Sequence, residues 1–287
     1  MSGLQLMLPP FVACMVLVAM LSYLGLHVIA REVIFVDLSL AQMAALGSLS
    51  ALLVHVDPDS PTAYIFALLA TAVGALLFAL TRTGAHGGAG GEGAGASNKS
   101  RVPQEAFIGI VYVLASAAAV LVANKVPGGG EAVEKTLVGS LLWVTWPKIV
   151  KLAAVYAGLG VFQYALRHRF LTISFHEDDA RQAGWKIRWW DFLFYLSFGV
   201  VITLAVPLAG VLMVFSFLVV PAVIANLFTA DKRRLMVISW STGALASLLG
   251  LWVSYTRDLP TGPLIVCMYG LLLVAALVVR RLRPGPA

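Results

Sequence analysis

Residues 209 to 229 read AGVLMVFSFLVVPAVIANLFT, a run of 21 residues without a charged side chain. A helix needs about 20 mainly apolar residues to cross the hydrocarbon core of a bilayer, so this run is long enough to span one. Pro221 interrupts it, and Pro207 with Gly210 divides it from a second apolar run over 190–207. The pair reads as two spans or as short, discontinuous helices.

Seven further runs lie on either side, near 8–30, 33–55, 61–81, 106–124, 147–167, 235–256 and 261–280. That makes nine candidate spans, or eight if one broken run is re-entrant. The 287 residues are 60% hydrophobic and 12% charged, with a mean hydropathy of +0.90. A soluble globule of this size would need more polar surface. The expected fold is an all-α membrane protein, a polytopic helical bundle in one domain over 1–287. No basic segment or small-residue cleavage site marks the start, so Leu4 to Ala30 reads as a retained span rather than a secretory signal. Cys14 and Cys267 sit in apolar runs and read as small core hydrophobes, not as a disulfide framework or thiolate metal site.

With nine spans, 15 of the 20 Lys and Arg gather at one set of ends, including Arg31, Arg82, Lys99, Arg167, Arg181, Lys232 and Arg280. The other set holds Lys125, Lys135, Lys148, Lys151 and Arg257. Basic residues concentrate on the cytoplasmic side, which predicts an inner-membrane, multi-pass protein with its N-terminus outside and its C-terminus in the cytoplasm. The net charge of +6 then reports topology in lipid and requires no nucleic acid.

Three connections stand out. Residues 82–104 hold a flexible Gly/Ala linker, Gly84 to Ser97. Val126 to Thr145 is an outer segment with Glu131, Glu134 and Trp143, and Trp146 follows it. Arg167 to Trp190 alone looks built for order. There Ser174 and Glu177 have capping-box spacing, Asp178 and Asp179 fall in the first turn, Arg181 in the last, and Gly184 follows as the residue past the end. A helix of about ten residues results, within 174–186. It could lie on lipid headgroups, but Glu177-Asp178-Asp179 would be repelled by an anionic leaflet. A protein partner fits it better.

Chemistry-bearing patterns are sparse. Gly93 to Ser100 approaches a phosphate loop, but Asn98 replaces the second glycine and no strand precedes it. The five histidines are scattered, and His176 falls in the ordered loop. The remaining lead is polarity at membrane depth: Asp37, Ser39 and Gln42 on the second span and Asn226 on the seventh. An Asp near the centre of a spanning helix is unfavourable by roughly 2.5–3.5 kcal/mol. Either Asp37 caps a helix beginning near Leu38 while Ser39 and Gln42 pack against a neighbour, or these residues border a polar path. At about 100° per residue, Ser39 and Gln42 share a face and Asp37 does not.

The motifs resemble the ABC-3 family, the permease subunits of zinc, manganese and iron ABC importers. Phe175-His-Glu-Asp-Asp-Ala-Arg-Gln-Ala-Gly184 is similar to its F-D-x-x-x-A-x-x-x-G coupling segment and is followed by Arg188-Trp-Trp-Asp191. Gly210 to Ala222 is similar to G-V-L-L-V-x-A-L-L-I-x-P-A, and Asp258-Leu-Pro-Thr-Gly-Pro263 to D-x-P-x-G-P. The N-terminal half matches through Arg31-Glu32 and Leu40-Ala41 to Gly47. The resemblance implies two permease copies around one path, separate ATP-hydrolysing subunits and an external solute-binding protein. It implies no cofactor on this chain and no catalysis by it, with ATP used by the partner. Ser174, His176, Glu177, Asp178, Arg181 and Gly184 would then form the ATPase coupling helix.

One departure bears on the cargo. The family's G-D-x-L-x-H places Asp and His four apart as ligands for a divalent cation. Here Gln42 stands in the His position, Leu38 in the Asp position, and Asp37 is displaced by one, leaving Asp37 as the metal candidate. Two other readings fit the residues: a scaffold or regulatory subunit of the same fold, and an ion-coupled secondary transporter with Asp37 as its titrating group.

Overall fold

The computed structural model describes residues 3–57, 60–81, 103–126 and 128–282. Of the expected linker, only Pro103 and Gln104 fall within them, and the phosphate-loop-like string falls outside. The described residues form helices α1 (Gly3–Ala30), α2 (Val36–Leu53), α3 (Pro61–Thr81), α4 (Gln104–Ala123), α5 (Gly129–Val138), α6 (Trp146–Ala165), α7 (Arg167–Phe175), α8 (Glu177–Gln182), α9 (Ile187–Ala209), α10 (Val211–Phe228), α11 (Lys232–Arg257) and α12 (Thr261–Leu282), with a 3₁₀ turn at Leu141–Trp143.

Eight of these helices are long and apolar enough to cross a membrane, and α6 with α7, bent by 71°, makes a possible ninth. The expected spans therefore recur with ends shifted by a few residues. Bilayer thickness sets their length, because every backbone polar group in hydrocarbon must be satisfied within the protein.

The proline-broken region resolves into two full spans. Gly210 takes φ +77°, a left-handed conformation open to glycine, and turns the chain between α9 and α10. Pro221 stays inside α10. Its missing N–H would leave the Phe217 carbonyl without its usual donor, and Ser22 of α1 donates its hydroxyl there at 3.2 Å. A side chain 195 residues away in sequence thus keeps the helix whole.

Helices α1 and α9 are the most enclosed spans, with α2 and α10 next, whereas α4 and α12 are buried over only 22% of their apolar windows. The core runs through Leu17, Leu21 and Leu24 of α1, Phe194 and Phe198 of α9, and Phe217 of α10. Helix α5 lies at the end of the bundle opposite α8. Ser140, just beyond it, pins it to the end of α9, donating its N–H to Leu208 O at 3.0 Å and its hydroxyl to Pro207 O at 3.3 Å. In the last turn of α11, the Ser254 hydroxyl donates to Leu259 O at 2.7 Å and lies 2.8 Å from the Thr261 hydroxyl. These bonds fold the Asp258–Pro263 connection into the start of α12.

Candidate functional site

The four polar candidates have different fates. Ser39 donates its hydroxyl to the Ile108 carbonyl of α4 at 2.9 Å, so it joins two helices. Asn226 donates its amide to Ala222 O, one turn back in its own helix, at 2.8 Å. Neither side chain lines a described cavity, and the four do not converge on one.

Asp37 is the second residue of α2, 1% exposed, and it does not cap the helix. The helix starts at Val36, and the orphan N–H of Phe35 donates instead to Glu105 Oε1 of α4 at 3.1 Å. Neither carboxylate oxygen of Asp37 has a partner in good hydrogen-bond geometry, although the N–H groups of Leu38 and of Asp37 itself lie close by. An unsatisfied buried polar group costs about 1–3 kcal/mol, more if charged. Asp37→Asn, which removes the charge and keeps the shape but leaves a buried amide, is expected to raise the thermal midpoint by removing only the extra cost of the charge. A lowered thermal midpoint in detergent would show that the carboxylate is held by a partner instead.

Gln42 alone of the four lines a cavity. It opens into about 180 Å³ bounded by α2, α4 and α5, with Tyr112, Ser116 and Thr136 among the lining groups. On the other side of α2 lies a second cavity of about 130 Å³, lined by Ser48, Lys135, Thr136 and Thr203. Ala45, Leu49 and Thr136 border both, so the two flank the half of α2 beneath α5. Their polar lining is amide, hydroxyl and one ammonium. No carboxylate, imidazole or thiolate among the described residues lines either one, and no group of three or more His, Cys, Asp or Glu there could hold a metal ion. Divalent cations stripped of water take carboxylate or imidazole ligands. These cavities instead offer hydrogen bonds to a solute that brings its own ligands. Sequence reasoning missed Tyr112, Ser116 and Thr136, because isolated hydroxyls carry no spacing signal, and it read Lys135 only as a marker of topology.

The ordered loop differs from its expected form. Ser174 is not a helix cap: it lies in the last turn of α7, 7% exposed, and a separate helix α8 begins at Glu177 with His176 at its N-cap position. The Ser174 hydroxyl accepts from Arg31 Nε at 2.8 Å and lies 3.0 Å from His27 Nδ1. Arg31, counted above as a cytoplasmic charge, is itself buried and paired with Asp191 at 2.7 Å, its guanidinium 3.9 Å from the Phe194 ring centre. This cluster ties the ends of α1, α7 and α9 together directly behind α8.

The end of α8 is as expected. Gly184 takes φ +69°, its N–H donates to Arg181 O at 3.0 Å, and the Trp185 N–H donates to Ala180 O at 3.1 Å. This double closure needs a left-handed residue past the helix end, which glycine supplies. Ala180 is fully buried, whereas His176, Asp178, Asp179 and Arg181 are exposed. The helix thus has six residues rather than ten, and Asp178, Asp179 and Arg181 give it a charged outer face.

The fold defines a polytopic, all-α membrane protein of the importer-permease type. The chain belongs to the ABC 3 transport family, whose family model matches residues 3–280. It is similar to a Chlamydia pneumoniae protein designated a metal transport system membrane protein, at 24% identity over 97% of this chain and 90% of that protein. Some other relatives align over only 57% to 62% of their own length. Among solved structures, PsaBC from Streptococcus pneumoniae superposes with a TM-score of 0.76 at 18% identity, covering 96% of this chain and 93% of that one. A metal-chelate type ABC transporter in an inward-facing conformation superposes at 0.67 with 18% identity, over 95% and 85%.

Proposed function

We propose that this chain is the membrane permease of an ATP-driven importer for a metal carried as a chelate, drawn through the cavities flanking α2. The observation that carries the reading is the donor set: Gln42, Ser48, Tyr112, Ser116 and Thr136 with Lys135, and no acidic ligand among the described lining residues. An ammonium in the lining repels a bare dication and attracts an anionic chelate. The altered Asp/His pair points the same way, and the relatives are named for metal and metal-chelate transport.

In this reading the end carrying α8 is cytoplasmic, in accord with the basic residues collected there. A separate subunit hydrolyses ATP and seats against α8, and an external binding protein delivers the cargo. A second copy packs on α4 and α12, the least covered spans, where Val113, Leu114 and Leu121 of α4 and Leu271 and Val274 of α12 are exposed. Asp37 lies on the far side of Gln42, about 7.5 Å along the axis at 1.5 Å per residue. There it would meet the cargo after the two cavities.

The test is uptake by vesicles holding the permease, ATPase and binding protein, offered free zinc, manganese or iron and the same metals as small organic chelates. Chelate uptake is expected to exceed free-ion uptake by tenfold or more. Preference for the free ion would refute the chelate reading. ATP-dependent uptake of neither would leave the scaffold role.

A further inference from the structure

A groove of about 950 Å³ runs between α1, α6 and α11, with α7 at its basic end. Its walls are Val16, Ala19 and Met20 of α1, Ala153, Ala157 and Gly160 of α6, and Met236 and Val237 of α11. Three donors in these walls are bonded inward. Tyr156 donates to Val201 O at 2.9 Å, Gln163 Nε2 to Ser197 Oγ at 2.8 Å, and Trp240 Nε1 to Ala19 O at 3.1 Å. What faces the groove is therefore mostly hydrocarbon.

Charge sits only at one end. Arg167, Lys232 and Arg233 border the groove there, and no salt bridge to them occurs among the described residues. Arg167 stacks over Tyr164 at 4.2 Å, and Lys232 lies 4.8 Å from the centre of the Phe175 ring. These contacts hold the two cations in place without neutralising them. Along α6 the apolar lining from Ala153 to Tyr164 measures about 16 Å at 1.5 Å per residue. One leaflet's hydrocarbon is about 15 Å deep, half of the ~30 Å core.

We infer that this groove holds an anionic phospholipid, with its acyl chains along α6 and its phosphate among Arg167, Lys232 and Arg233. An apolar slot one leaflet deep with cations at headgroup level matches such a lipid in both length and charge. A second copy of the chain fits less well, because a two-fold contact there would set the same cations against themselves. In the orientation proposed above the lipid belongs to the inner leaflet, so that detail rests on the preceding reading.

The test uses the full-length protein, purified in detergent from mixed phosphatidylglycerol and phosphatidylcholine, with retained lipid measured by native mass spectrometry. Wild type is expected to retain phosphatidylglycerol at least tenfold over phosphatidylcholine. Each cation near an anionic headgroup multiplies affinity by about fivefold, so the triple variant R167Q/K232Q/R233Q should lose about a hundredfold. Gly160→Leu supplies a second arm: a Cβ there meets nothing within 4 Å, so the fold tolerates it while the side chain fills the slot. It should expel the lipid with all three cations intact.

Equal retention of the two lipids would overturn the inference, as would undiminished retention by Gly160→Leu. In a Cys267→Ser background, oxidative cross-linking of Gly160→Cys between copies would assign the groove to a second permease, whereas Leu121→Cys on α4 is the site expected to cross-link. None of these readouts measures transport. If impermeant labelling of His176→Cys placed the basic end outside, the proposed orientation would fall while the lipid result stood.

Discussion

Asp191→Ala is expected to destabilise the protein by about 3–5 kcal/mol, the cost of leaving a buried charge without its partner. Asp191 and Arg31 are 2.7 Å apart, with side chains 0% and 2% exposed. Removing the carboxylate strands a guanidinium that cannot lose its proton in a site with no route to water. The remaining contacts, Ser174 Oγ at 2.8 Å and the Phe194 ring at 3.9 Å, are too weak to hold it. The pair joins the end of α1 to the start of α9, two of the most enclosed spans, so its loss loosens the bundle at that end.

Thermal unfolding in detergent reads the effect directly. An Asp191→Ala midpoint within a degree or two of wild type would show that the charge finds other compensation. The double variant Arg31→Met, Asp191→Leu should recover most of the loss, because replacing both charges with apolar groups of similar volume is often neutral or stabilising. Arg31→Lys should not rescue, since an ammonium cannot reach Ser174 and Asp191 with a planar fork.

Reversing charge on α8, with Asp178→Lys and Asp179→Lys together, is expected to lower ATP-driven uptake at least tenfold while leaving the fold intact. Both side chains are exposed and make no buried contact. Their loss from the first turn costs only about 0.3–1 kcal/mol each through the helix dipole, far less than the Asp191 change. The variant should therefore assemble and still meet its ATPase with the wrong sign of charge. Measured in the reconstituted complex, hydrolysis should become insensitive to cargo. Normal uptake and normally stimulated hydrolysis would remove α8 from the contact. The isosteric pair Asp178→Asn, Asp179→Asn should fall between, separating charge from shape.

The misreading of Ser174 shows where sequence patterns stop. Ser174 and Glu177 have the spacing of a capping box, and spacing was all the pattern could use. The hydroxyl is instead engaged by Arg31, 143 residues earlier in the chain. A local motif cannot register a competitor that arrives through space. Asp37 failed as a cap for another reason: the helix starts at Val36, one residue before it, and the Ser39 N–H that it would have capped donates to Phe35 O at 3.1 Å. Gly184 was legible because its requirement is local, a left-handed residue after a helix.

The amino-acid order by itself determined the approximate bounds of the spans, the basic end and the position of the charged turn, and left the number of spans at eight or nine. Each of these follows from a one-dimensional cost: apolar length against bilayer thickness, charge against hydrocarbon, φ against Cβ sterics. Only the tertiary structure decided which polar groups are free. It committed Ser39, Ser174 and Arg31 to other helices, left Asp37 without a partner, and opened cavities at Gln42 and a groove along α6. Whether a hydrogen-bonding group is available depends on what packs against it, and in a bundle those neighbours come from distant parts of the chain.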